Sequence, residues 1–375
     1  MTDALQWLDD AARARERAGL TRALVPVSGD GLLDLAGNDY LGLRTHPAVI
    51  AGAVDATRRY GGGAGASRLV TGTLPVHADL EASLADLAQV PTALVTSTGY
   101  AANLAVLSAL AGPGTLVVSD AHAHASLIDG MRLARAEVTV APHNDVTAVE
   151  QALASRAAQR ALVVVESIYS VLGDVAPLVE LVEVTRRQGA LLVVDEAHAL
   201  GVLGGHGGGA LPALGLAGED HVIVTGTLSK ALGSQGGVVL AHRAVREHLV
   251  NTARPFIYDT GLAPAAAGAA LAASQLVRGE DSLRARLRAN AARLAAACGV
   301  DTPPGAVMSV PMPGPSQALA AVAEAAGHGI RIGCFRPPST PDGDSRLRLT
   351  AHADHSDAEL AHAADVLAEV IAHHG

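Results

Sequence analysis

The chain has 375 residues, is 49% hydrophobic and carries a net charge of −10. That is enough sequence for a large domain and a smaller one, and too acidic for a general nucleic-acid surface. Its two cysteines, Cys298 and Cys334, stand outside any metal or redox spacing, and its apolar runs have the length of core strands rather than membrane spans. Residues 1–20 carry acids and arginines throughout, unlike a secretory signal. A reducing, cytoplasmic setting with no membrane or nucleic-acid partner is expected.

In chain order, residues 4–20 have a helical charge pattern, with Arg13, Arg15 and Arg17 on the solvated side, a stop at Gly19 and Arg22 just beyond. Residues 33–43, LDLAGNDYLGL, read as a short strand and turn. The glycine-rich loop 60–73 is either a connector or a backbone cradle for an anion. An amphipathic helix over 76–88 leads to a strand at 93–95, the turn TSTGY, and a helix over 101–110. A small polar turn between strand and helix can seat a phosphate on helix N-terminal amides, with Tyr100 projecting from it. Strands at 115–118, 161–165, 191–194 and 222–225 alternate with helices such as 178–188, which predicts a largely parallel sheet covered on both faces. From about residue 262 an alanine-rich helix runs to Cys298, followed by short strands near 307–310 and 346–350. The expected division is an entry segment (1–45), a large domain (46–262) and a smaller C-terminal α/β domain (263–375).

Of the 27 basic residues, Lys230 is the one lysine and 26 are arginines. A guanidinium stays protonated and is a poor nucleophile, whereas an amine can lose its proton and form a Schiff base with a carbonyl. Lys230 leaves a β-branched strand and enters a small-residue turn, the edge at which ligands bind in open α/β sheets. Thr227 and Ser229 beside it offer hydroxyls suited to a phosphate. The neighbouring strands end at Glu166, followed by Ser170, and at Asp195, followed by His198. Together these describe a pyridoxal phosphate site: Asp195 can hold the pyridine nitrogen protonated, making the ring an electron sink, His198 and Ser170 can bond its phenolic oxygen, and Thr227 its phosphate.

Other readings are weaker. Asp195 to His198 spells DEAH, a helicase metal box, but no GxxxxGK[ST] loop accompanies it. The glycines from Gly61 to Gly65 follow no strand, against a nicotinamide-binding turn. The pairs His122/His124, His352/His355 and His373/His374 have no carboxylate or cysteine at a recognised ligand spacing, so no metal is expected.

The segments GNDYLGL (37–43), SRLVTGT (67–73), TGYAAN (98–103), HASLIDG (124–130), VDEAH (194–198), TGTLSKALG (225–233) and RPPSTPDGDSRLRLT (336–350) resemble the α-oxoamine synthases. These are pyridoxal-phosphate enzymes of the α/β, aspartate-aminotransferase-like fold (fold type I). They condense an amino acid with an acyl thioester and lose carbon dioxide. Within the family the likeness is strongest to the branch that joins L-alanine to a pimeloyl thioester of CoA or a carrier protein, with RPPSTP and the GLAP after IYDT supporting it. The branch joining glycine to acetyl-CoA is the rival, and a non-catalytic partner subunit of the same fold is the alternative of another class.

The resemblance implies Lys230 as the Schiff-base lysine, Asp195 at the ring nitrogen, and His198 and Ser170 at the ring oxygen. It places His124 on the ring face, also polarising the ketone, with Gly99, Tyr100 and Thr227 at the phosphate. Arg336 would clamp the alanine carboxylate, and Arg22 and Ser339 would reach the acyl substrate. Asn38 and His77 would be further contacts. It also implies a homodimer with a shared site, in which the SRLVTGT loop and Thr260 serve the neighbour. The chain departs from the family's usual SMDGD at 170–174 and RPPT at Ser339.

Overall fold

The computed structural model describes residues 4–17, 20–22, 24, 26–27, 31–337, 339–340 and 342–375. Residues up to 32 form one compact unit and residues from 33 onward another. In the first, the helix Gln6–Arg17 buries none of its residues and places Arg15 and Arg17 in its last turn, where cations suit the helix dipole. Arg13, Arg15, Arg17 and Arg22 are exposed, and the stop expected at Gly19 lies outside the described residues.

The second unit is built on a seven-stranded sheet: β1 (Thr92–Thr96), β2 (Thr115–Asp120), β3 (Glu137–Ala141), β4 (Arg160–Glu166), β5 (Leu191–Asp195), β6 (Val222–Thr227) and β7 (Gly237–Ala241). Their order is β1-β7-β6-β5-β4-β2-β3, and only β7 runs antiparallel to its neighbours. Consecutive residues of β4 are buried because helices cover both faces. Val163 and Val165 join one apolar cluster, and Leu162 and Val164 the other. Edge strand β3 was not predicted. Its first four residues are exposed, so it lacks the apolar run that marks the inner strands. The helix expected from 101 begins two residues earlier, Gly99–Leu110, because Thr98 caps it by accepting from the Ala101 N–H at 3.0 Å.

β7 reverses direction because its connection from β6 is too short for a parallel crossover. Gly236 turns there at φ +129°, and a Cβ on Gly237 would stand 2.2 Å from the Thr98 carbonyl oxygen. Glycine is therefore required where this turn crosses the start of the Gly99–Leu110 helix.

The long helix expected after 262 is two helices, Pro264–Gly279 and Asp281–Cys298, broken at Glu280 (φ −120°, ψ 82°). Beyond them β8 (Val307–Met312), β9 (Gly333–Phe335) and β10 (Ser345–Thr350) form an antiparallel sheet in the order β9-β10-β8. The segment entering this unit is laced to that layer. Leu33–Asp34 pairs in parallel with Ile330–Arg331, the Thr350 N–H donates to the Leu35 carbonyl, and the Ala353 N–H donates to the Tyr40 carbonyl. Asn38 and Tyr40 are thereby fixed between the C-terminal layer and the edge of the large sheet. Among the described residues no helix is long and apolar enough to cross a membrane.

Candidate functional site

Parallel register delivers the site. Glu166 lies opposite Asp195 and Asp195 opposite Thr225, so the polar residues that follow β4, β5 and β6 leave at one edge. There Asp195, His198, Thr227, Ser229, Lys230, Glu166, Asn103, Ser126, His124, Thr98, Gly99 and Tyr100 line a cavity of about 230 Å³. It opens through His124, His198 and Lys230 into a cleft of about 750 Å³, whose walls include Asn38, His122, Ile128, Tyr169, Ser170, Leu172, Phe335, Ser339, Thr340 and Arg348.

Lys230 Nζ stands 2.7 Å from His198 Nε2, and burial pushes its amine down to about 8. His198 Nδ1 is 2.7 Å from the Tyr40 hydroxyl, which donates to Asn38 Oδ1 at 2.9 Å; Arg348 Nη2 donates to the same oxygen at 3.2 Å. This chain fixes the tautomer. Arginine has no acceptor, so the Asn38 atom facing it is oxygen; the Tyr40 proton must then point to that oxygen, and His198 must carry its own proton on Nδ1. Nε2 therefore offers a lone pair to the lysine. Burial, then the Lys230 charge, hold His198 well below its ordinary value, so the ring is neutral.

Asp195 Oδ1 accepts from the Ala197 N–H at 2.9 Å and Oδ2 from Asn103 Nδ2 at 2.7 Å, two donors that suit its ionised form. Asn103 also donates to Ser126 Oγ at 2.8 Å. The Ser126 hydroxyl lies 2.7 Å from His124 Nδ1, which caps the helix Ala125–Ala134, and burial lowers the His124 imidazole. Thr227 Oγ1 and Ser229 Oγ are 2.7 Å apart beside the N-terminus of the Gly99–Leu110 helix. A Cβ on Gly99 would come within 3.0 Å of Thr227 Cβ. Tyr100 projects, 43% exposed, and donates to Asp129.

Several residues fall elsewhere than expected. The guanidinium among the described cleft-lining residues belongs to Arg348; Arg336 is not among them. Arg348 is buried, donates from Nε to the Ser170 carbonyl at 2.6 Å, and lies over the Phe335 ring. His77 is a structural residue: its Nδ1 accepts from the Leu74 N–H at 3.0 Å and its Nε2 donates to the Leu262 carbonyl at 2.7 Å. Arg68 of the glycine-rich loop is buried against Glu81 at 3.0 Å, so the loop's guanidinium braces the fold and is not offered to an anion. Glu196 of the DEAH sequence is also structural. Burial pushes it up to about 7, and it receives the Ala210 and Leu211 N–H groups at 2.7 and 2.9 Å.

The histidine pairs have carboxylate partners that are hidden in the sequence. His373 and His374 both meet Glu324. His352, Asp354 and His355 bring ligand-type atoms within 4.8 Å of one another, although their imidazole planes are nearly parallel, 7° apart, so the in-plane lone pairs do not converge. His122 stacks on His143 at 3.7 Å. His143 bridges Asp120 and Asp174 at 2.8 and 2.7 Å, and although burial opposes it, these hydrogen bonds raise its imidazole above the ordinary value.

A mostly parallel sheet with one reversed strand, gathering a half-buried lysine, an aspartate and a helix N-terminus at its edge, defines an aminotransferase-like protein of fold type I. The chain belongs to the aminotransferase class I and II family, whose model matches residues 30–367. It is 55% identical over 369 residues to the 8-amino-7-oxononanoate synthase of Mycolicibacterium gilvum, covering 98% of this chain and 97% of that one. Among solved structures, a lysine-to-alanine variant of serine palmitoyltransferase from S. paucimobilis with a bound PLP–myriocin aldimine matches at TM-score 0.91 and 32% identity over 98% of both chains. The 8-amino-7-oxononanoate synthase of Francisella tularensis matches at TM-score 0.78 and 26% identity, covering 92% of this chain and 99% of that one.

Proposed function

We propose that the chain binds pyridoxal 5'-phosphate through Lys230 and condenses L-alanine with a pimeloyl thioester, with loss of carbon dioxide, to give 8-amino-7-oxononanoate for biotin biosynthesis. The observation that carries this is Lys230, the chain's one lysine, half-buried in a cavity it shares with Asp195 and with its amine lowered to about 8 by burial, in a chain alike from end to end to a synthase of that name.

The residues fit the cofactor. Asp195, with both oxygens already hydrogen-bonded, suits a protonated ring nitrogen. Gly99, Tyr100, Thr227 and Ser229 suit the phosphate, combining helix amides with hydroxyls. His124 offers a neutral ring face. When bound, the cofactor supplies a carbonyl for amine capture and a ring that accepts electron density.

The chain's own residues do the rest. His198 holds Nζ by its Nε2 lone pair, and the lowered basicity of Lys230 lets the amine give and take a proton near neutrality. Arg348 replaces Arg336 in this proposal as the clamp for the alanine carboxylate, being the arginine that reaches the cleft with its planar fork. Asn38, already bonded to it, positions that fork. Ser170 and Ser339 edge the cleft, and Ile128, Leu172 and Phe335 give it the apolar walls an acyl chain needs. Ser339 is assigned to the acyl substrate; Arg22 shares that assignment on the family resemblance alone. His124 is assigned, on the family resemblance, to polarise the ketone that drives loss of carbon dioxide.

A homodimer with a shared site belongs to the same proposal. The SRLVTGT loop carries exposed Leu69 and Val70 and bridges at Ser67 to Thr260, giving an apolar surface for a second copy. A cytoplasmic location is proposed with it.

The test is a panel of amino acids and acyl thioesters scored by thiol release. L-alanine with a pimeloyl thioester should give the highest kcat/KM; a preference for glycine with acetyl-CoA would replace this substrate assignment.

A further inference from the structure

Two hydrogen bonds join the helices Gly99–Leu110 and Ala125–Ala134 beside the cavity: Asn103 Nδ2 donates to Ser126 Oγ at 2.8 Å, and the Tyr100 hydroxyl donates to Asp129 Oδ2. Residues three apart share a helix face, so the two bonds are successive rungs between antiparallel helices. Gly130 lets the helices come this close, since a Cβ there would stand 2.9 Å from Leu107 Cδ1 and 3.3 Å from the Asn103 carbonyl oxygen. The inner rung has an evident task, because the same Asn103 nitrogen also holds Asp195 Oδ2. The outer rung ends on Asp129, which is not one of the cavity's lining residues and whose other oxygen accepts from Arg132 Nη1 at 3.2 Å.

The outer rung acts on Tyr100. That residue lines the cavity and is still exposed, so its ring stands at the rim, in the first turn of the helix assigned to the phosphate. An exposed tyrosine held only by its backbone changes rotamer on the picosecond to nanosecond scale, whereas one whose hydroxyl is also tethered keeps a single orientation. Resting on the reading of the site as a pyridoxal phosphate pocket, we propose that Asp129 is a positioning residue: it holds the Tyr100 hydroxyl so that the ring stays across the rim and slows release of the bound cofactor. The carboxylate that accepts the phenolic proton also raises the Tyr100 phenol above its ordinary value, which gives the contact a signature of its own.

The experiment compares wild type, Asp129→Asn, Asp129→Ala, Tyr100→Phe and the double variant Asp129→Ala with Tyr100→Phe. Cofactor release from the purified holoproteins is timed by decay of the visible band on dilution with an excess of an unrelated apoenzyme as trap. Asp129→Ala and Tyr100→Phe should each speed release by roughly three- to tenfold, the scale of one hydrogen bond with a side open to water. The double variant should be no faster than the faster single one, because both remove the same contact. Asp129→Asn keeps an accepting oxygen and should stay near wild type. In the apoproteins, a near-ultraviolet phenolate titration of each protein, minus that of its Tyr100→Phe counterpart, should show the Tyr100 midpoint falling in Asp129→Ala; a merely structural role for Asp129 would leave it in place. The proposal is overturned if Asp129→Ala leaves release or the midpoint unmoved, if Asp129→Asn releases as fast as Asp129→Ala, or if the two single effects multiply in the double variant. A wild type that takes up no cofactor would overturn the pyridoxal phosphate reading itself, a separate result that leaves the apoprotein titration unaffected.

Discussion

The cofactor cavity and the adjoining cleft are built on different plans. The cavity takes its charged groups from strand ends that lie side by side in one sheet, and each of Lys230, Asp195 and His198 has a defined partner at 2.7 to 2.9 Å. The cleft, about three times larger, is assembled from the entry segment, the loops after β2 and β4, and the C-terminal layer. A preorganised pocket suits a resident group that stays, and a wide cleft suits substrates that come and go.

The largest effect should come from the cavity. Asp195→Asn removes the charge from a buried ionic contact, a change that costs about 3–5 kcal/mol and so lowers kcat/KM on the order of 10³-fold. Cofactor retention on gel filtration should fall with it. If both hold near wild type, the cavity does not depend on that carboxylate.

An intermediate effect belongs to the cleft. Arg348→Lys keeps the charge but loses the fork, so KM for the amino acid should rise by about ten- to a hundredfold, with KM for the thioester little changed. Arg336→Lys, made in parallel, should change the amino-acid KM by less. The reverse ranking would restore Arg336 as the clamp.

The smallest effect lies behind the cleft wall. His143 is raised by its bonds to Asp120 and Asp174, so its contribution to stability is complete below the unfolded histidine pKa of about 6.5 and is lost as pH rises through the higher folded value. The midpoint difference between wild type and His143→Gln in urea should therefore be largest in mild acid and shrink toward alkaline pH. A difference that grows with pH would mean the imidazole is neutral there.

How much of this was legible in the sequence differs between the two regions in the same way. β4, β5 and β6 announce themselves by consecutive β-branched residues, and parallel register turns nearby strand ends into neighbours, so Asp195, His198 and Lys230 could be grouped without coordinates. Arg348 could not. It lies 118 positions beyond Lys230, and the motif RLRLT contains two arginines whose difference emerges only on packing: Arg346 turns to Asp342, while Arg348 is buried toward Asn38. A buried arginine inside an apolar strand was the available signal. Tyr40 was hidden likewise, since its partner His198 is 158 positions away. The break at Glu280 did leave a signal, Gly279 ending one helix and Asp281 opening the next, which the long alanine-rich pattern on either side masked, and edge strand β3 buried too little to show itself.

The most direct test is covalent. Holoprotein is reduced with borohydride, digested and analysed by mass spectrometry. The account predicts one reduced cofactor attached to the peptide containing Lys230, and neither label nor visible absorbance band in Lys230→Ala. Label on another residue, or a Lys230→Ala protein that keeps the cofactor band and turns over normally, would contradict it.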